Sequence, residues 1–110
     1  LLYDIASFMM YGNLYQLERQ DQYLRFIKAY LKSNPIPLEN LKYLQFFLKT
    51  RFFVQLLYFS FRIQTNNIRG VTNQSDNLQG FNEGKTWLLD MNQIPTDYYY
   101  KIFVDQHVNN

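Results

Sequence analysis

Few residues of this 110-residue chain are of the types that carry out catalysis. It has one histidine, His107, and no cysteine, which excludes a cysteine nucleophile and a thiolate-bound zinc ion. A serine–histidine–acid triad would need His107 and a serine in a tight strand-to-helix turn. No serine stands in such a context: Ser7, Ser33, Ser60 and Ser75. We therefore interpret His107 as a solvated residue near the carboxyl end.

Two further patterns invite a chemical interpretation. Asp97, Lys101 and Asp105 are spaced four residues apart, and surface ion pairing on one helix face explains them better than metal binding. The segment 80–86, Gly-Phe-Asn-Glu-Gly-Lys-Thr, has three residues between its glycines where a phosphate-binding loop has four. We interpret this segment as an ordinary loop. The sequence thus predicts no catalytic residue, cofactor or metal site, and a protein that is not an enzyme.

The composition limits the size and class of the protein. A chain of this length fits one small domain, and its net charge of +2 is too small to indicate a nucleic-acid partner by itself. Asparagine, phenylalanine, tyrosine, isoleucine and lysine are abundant, which we interpret as the mark of an AT-rich coding sequence. Because the sequence begins with Leu1 rather than methionine, we expect a processed product or an incomplete chain.

The amino-terminal half carries the clearest helical periodicity. Apolar residues at helical spacing predict a short helix over 2–10, and Asn13 is then predicted to cap a second helix. Over 14–33 the leucines and isoleucine recur at intervals of three, four and seven residues, which is typical of an amphipathic helix. The sequence Asn-Pro-Ile-Pro over 34–37 ends this helix, since proline lacks the backbone N–H.

The stretch 38–63 is the most apolar part of the chain. A third, long helix is the preferred prediction for it. The aromatic run 52–61 leaves a strand open as the alternative. A membrane span is disfavoured because this run is only ten residues long and stands between Arg51 and Arg62.

The remaining chain predicts little regular structure. Residues 64–84 lack periodicity and are rich in asparagine, glutamine and glycine, so we predict an extended polar arm over 64–95, anchored at Trp87 and ordered by a partner. A last helix is predicted over 96–107. The fold class is therefore mainly α: a single domain, with a small helical hairpin or bundle of two long and two short terminal helices and a long irregular arm. The helices 14–33 and 38–63 are predicted to pack antiparallel.

Two sets of residues are candidates for binding. The chain holds 10 phenylalanines, 10 tyrosines and 1 tryptophan, more than a small helical core can hide. The predicted interface consists of Phe46, Phe47, Phe52, Phe53, Tyr58, Phe59, Phe61 and Trp87. Residues 12–63 also carry eight lysines and arginines against three acidic residues. The predicted basic face consists of Arg25, Lys28, Lys32, Lys42, Lys49, Arg51 and Arg62.

These features predict a non-catalytic structural subunit of a large hetero-oligomeric complex. We expect its partners to be other protein subunits, with possible lipid contact at a membrane interface, and its location to be the mitochondrial inner membrane, in a complex of the respiratory-chain type. The first alternative is a subunit of an organellar ribosome or another ribonucleoprotein, because basic and aromatic side chains also suit RNA. The second is an adaptor lying in the membrane interface.

Overall fold

The computed structural model describes residues 1–70 and 73–107; Val71 of the predicted arm and the last three residues lie outside this part. The model is 78% helical and, over the described residues, has five helices and no strand, which confirms the mainly α prediction. The α-helices are α1 (Leu2–Tyr11), α2 (Gln20–Ser33), α3 (Leu44–Gln64), α4 (Gln74–Met91) and α5 (Tyr98–His107), with short 3₁₀ segments at Leu17–Arg19 and Leu38–Tyr43.

The residues group into two compact units. The first contains residues 1–48 and the chain from Pro95 onward, and the second is Lys49–Ile94. The helix α3 therefore begins in the first unit and continues in the second. The prediction of a single domain stays a prediction.

The end of α1 corrects the predicted start of the second helix. Asn13 has a φ of 58° and follows α1, with its N–H bonded to the carbonyl of Met10 and that of Leu14 bonded to the carbonyl of Met9. This is the Schellman arrangement, in which a left-handed residue closes the helix behind it. Asn13 thus ends α1 rather than capping α2, and α2 begins at Gln20 instead of residue 14.

The first unit is built around two buried tyrosines. The Tyr23 hydroxyl donates to the carbonyl of Tyr99 at 3.0 Å, and the Tyr99 hydroxyl donates to the carbonyl of Tyr15 at 2.7 Å. Their rings lie 5.1 Å apart. Burial, reinforced by neighbouring tyrosines, raises the pKa of both hydroxyls well above the ordinary tyrosine range. α2 and α5 are thereby joined through groups that stay neutral.

The segment 38–63 is helical but not one α-helix. Leu38–Tyr43 forms 3₁₀ turns after Pro37, and α3 then runs from Leu44 to Gln64. The strand alternative for 52–61 is therefore wrong. A strand there would have required partner strands, and the described residues contain none.

The predicted irregular arm is wrong over most of its length. Eighteen of its residues form α4, Gln74–Met91. Asn73 caps this helix, with its side chain accepting from the N–H of Ser75 at 2.9 Å and its own N–H reaching Asp76. The segment 80–86, interpreted as a loop, lies inside the helix.

The helix α4 escaped prediction because, of its four buried positions, only the last, Met91, has a large apolar side chain. Asn77, Gly80 and Gly84 are buried at spacings of three and four residues, as on a helix face, yet none has an apolar side chain of any size. The glycines allow α3 to approach closely. A Cβ atom added at Gly80 would lie 2.5 Å from the ring of Phe59. Around Gly80 and Gly84, α4 therefore packs through close contact of its backbone with α3 and not through an apolar stripe.

Candidate functional site

Within the second unit, α3 packs against α4 along one side. The ring of Phe52 lies 5.6 Å from that of Trp87, and the Gln55 side chain donates to the carbonyl of Gly80 at 3.1 Å. Arg62 donates through Nε to Asn77 at 2.8 Å. The paired positions rise along α3 as they fall along α4, so the two helices form an antiparallel hairpin.

The opposite side of α3 carries a row of exposed apolar side chains, which we call the outer face. Its members recur at helical spacing and therefore lie on one side of the helix. They and their exposed fractions are Phe53 51%, Val54 41%, Leu57 56%, Tyr58 53% and Phe61 62%. With about half of each side chain exposed, the outer face presents roughly 500 Å², similar to the largest apolar patches of monomeric proteins, which are often functional.

Buried polar groups hold α3 and α4 in register below the outer face. Besides Asn77, the Arg62 guanidinium donates to the hydroxyl of Tyr58 at 3.0 Å and to the carbonyl of Arg69. The Asn77 amide donates to the carbonyl of Asn67 at 2.8 Å. Arg62 is only 7% exposed and Asn77 is fully buried. These bonds join the end of α3 to the beginning of α4 and fix Tyr58 at the edge of the outer face.

The structure divides the predicted interface residues between core and surface. Phe52 is fully buried, so it belongs to the core and not to an interface. Phe47, Phe59 and Trp87 are half-buried. The exposed members are Phe46, Phe53, Tyr58 and Phe61. Val54 and Leu57 of the outer face were missed because the prediction selected aromatic residues alone.

The predicted basic residues do not share one role. Arg25, Lys28 and Lys32 are exposed along α2, and the Lys42 ammonium lies 4.8 Å from the centre of the Tyr100 ring. The remaining three are Lys49 and Arg51, both half-buried, and Arg62. Arg62 is wrongly placed on a basic face, because its burial and bonds to neutral oxygens withdraw it from external phosphates.

The residues considered for chemistry are not brought together. Lys101 and Asp97 form the predicted surface ion pair at 3.4 Å. Among the described residues, no three histidine, cysteine or acidic side chains are grouped to hold a metal ion; the His107 side chain lies outside the described part. A shallow cavity of about 350 Å³ in the first unit is lined by Asp21, Leu24, Arg25, Lys28 and Gln106. It contains no nucleophile with an adjacent base.

Comparison with known proteins identifies no relative: no protein-family model matches the chain, and neither does any curated protein or solved structure. In the described part of the chain, no helix has the length and apolar character needed to cross a bilayer. The outer face of α3 is therefore the candidate site on physical grounds alone.

Proposed function

We propose that this protein is a non-catalytic structural subunit of a membrane-bound hetero-oligomeric assembly, with the outer face of α3 lying on the lipid surface. The outer face itself carries the proposal. It presents exposed apolar side chains, without a charge among them, on a helix whose other side is already packed against α4. Apolar helix faces of this kind bind in the plane of a membrane interface.

The arrangement of the hairpin suits a helix that lies flat on the membrane. In this orientation the outer face enters the boundary between headgroups and acyl chains, to a depth of about 5–10 Å. Tyr58, at the edge of the face, keeps its hydroxyl on Arg62 while its ring contacts lipid. Tyrosine suits this position because one end of its side chain is apolar and the other polar.

A matched pair of leucine variants tests the proposal. Leu57 on the outer face and Leu89 on α4 are each 56% exposed. Leu57→Gln should weaken binding to phosphatidylcholine–phosphatidylglycerol vesicles about tenfold, since an apolar contact is lost, and Leu89→Gln should bind like the wild type. Co-sedimentation measures both. Equal binding by Leu57→Gln and the wild type would contradict attachment through the outer face.

The protein partners and the location are proposals from composition. The abundance of aromatic residues supports other protein subunits as partners, and we retain the mitochondrial inner membrane as the location. Native electrophoresis of a detergent extract should show the chain migrating with other proteins, and fluorescence microscopy should place it in mitochondria. A chain that migrates alone would contradict the assembly, and a salt-sensitive association with RNA would favour the ribonucleoprotein alternative.

A further inference from the structure

Charge is unevenly distributed between the helices of the second unit. No acidic residue occurs in α3, from Leu44 to Gln64. The acidic residues of the second unit are all in α4, at intervals of seven along the helix: Asp76, Glu83 and Asp90. Residues at this interval share one side of a helix. The hairpin therefore has one helix without negative charge and one that holds all of it.

The packing of the hairpin places α4, the helix that holds these acidic residues, on the side of α3 away from the outer face. α4 contacts α3 through Phe52, Gln55 and Arg62, which lie on the side of α3 opposite the outer face. A surface that approaches the outer face thus meets α3 first, and no carboxylate of α3 repels it. The side of the hairpin that contacts lipid is apolar and free of negative charge.

Lys49 adds a positive charge beside the outer face. It precedes Phe53 by one helical turn and is half-buried. Arg62 is held in the hairpin, and Arg51 already has a partner within the chain. Lysine can extend its apolar stem along a hydrophobic surface and keep its ammonium group at the polar level.

We propose that the outer face of α3 selects anionic phospholipids and that Lys49 binds their headgroup phosphates. This inference rests on the proposed function and specifies the lipid. The apolar side chains supply attachment, and the charge of Lys49, unopposed on α3, supplies the preference for a negative surface. The second unit as a whole also has a positive net charge, with five basic residues and three acidic ones.

Vesicle binding with matched charge variants tests the inference on the full chain. The wild type should bind vesicles of phosphatidylcholine with phosphatidylglycerol more tightly than vesicles of phosphatidylcholine alone, and added salt should reduce the difference. Lys49→Gln should weaken binding to the anionic vesicles about fivefold. Lys85→Gln, an exposed position on α4 with the same loss of charge, should change it less than about twofold.

The outcomes separate this inference from the proposed function. Equal binding of the wild type to both vesicles would overturn anionic selection and leave membrane attachment standing, and so would unchanged binding by Lys49→Gln. Failure to bind either vesicle would overturn both proposals. In that case, formation of a dimer in solution would indicate that the outer face binds a second copy of the chain. A stable monomer would indicate that it binds another protein.

Discussion

At the residue scale, the outer face depends on a buried arginine that joins α3 to α4. Arg62 bonds to the fully buried Asn77 and to the carbonyl of Arg69. Buried polar groups that lose their partners cost about 1–3 kcal/mol each. The neutral acceptors around Arg62 therefore make it a structural residue of the hairpin, although its charge alone suggested a contact with phosphates.

Replacing Arg62 should destabilise the protein strongly. Arg62→Met should lower the free energy of unfolding by about 2–4 kcal/mol, because it leaves Asn77 and the Arg69 carbonyl without their donor. Arg69→Ala removes the same charge from an exposed side chain and should change stability by less than about 0.5 kcal/mol. Urea denaturation followed by circular dichroism measures both, and equal stability of the two variants would show that the Arg62 bonds contribute little.

The two buried glycines of α4 should respond differently to the same substitution. A Cβ at position 80 would meet the Phe59 ring at 2.5 Å, whereas one at position 84 would meet Leu56 at 3.4 Å, an ordinary contact. Gly80→Ala should therefore cost about 1–3 kcal/mol, and Gly84→Ala should be neutral or stabilising by up to about 1 kcal/mol through helix propensity. Thermal melts compare them. A Gly80→Ala protein as stable as Gly84→Ala would contradict the close packing.

At the element scale, the helices that bury a stripe of apolar side chains could be predicted from the sequence. The helix α4, which buries mainly an amide and two glycines, could not. In α2, Leu24 and Ile27 are buried as their spacing indicated. In α4, the buried positions are Asn77, Gly80, Gly84 and Met91, of which only Met91 carries a hydrophobic signal. Only the capping pattern at Asn73 and Asp76 could have indicated this helix from sequence.

The same distinction explains α3 and the candidate site. One side of α3 packs on α4 and the other presents the outer face, so apolar residues surround the helix and periodicity could not separate interface from core. Phe52 and Phe53 are adjacent in sequence, yet Phe52 is fully buried and Phe53 is half exposed. Side-chain type gave no means of telling them apart, because the choice depends on where α4 lies.

The packing of α2 gives a prediction about its buried stripe. Leu24 is 7% exposed, whereas Leu17, just before the helix, is 52% exposed. Leu24→Ala should destabilise the protein by about 2–5 kcal/mol because it leaves a cavity, and Leu17→Ala should cost less than about 1 kcal/mol. Chemical denaturation compares the two. The predicted antiparallel packing of 14–33 on 38–63 is not confirmed: α2 contacts α1 through Phe26 on Phe8, and it contacts α5 through Tyr23 on Tyr99 and Gln20 on Tyr98.

At the scale of the whole molecule, stability should fall in alkaline solution. Burial raises the pKa of Tyr23 and Tyr99 in the folded chain, so above about pH 10 the unfolded chain loses these protons first. Their contribution is fully present below that pH and is lost as the pH rises, by about 1.4 kcal/mol per pH unit for each tyrosine. Tyr23→Phe should reduce this slope, because it removes one of the two buried hydroxyls. Denaturation midpoints that stay constant above pH 10 would contradict the burial of the pair.

The position of the outer face at a lipid surface is the central claim, and a single introduced label tests it directly. Because the chain has no cysteine, Leu57→Cys or Leu89→Cys would carry an environment-sensitive fluorophore at one known place. On addition of phosphatidylcholine–phosphatidylglycerol vesicles, the label at position 57 should shift to shorter emission wavelengths and become protected from an aqueous quencher, while the label at position 89 stays in water. Unchanged emission and full quenching at position 57 in the presence of vesicles would contradict the account.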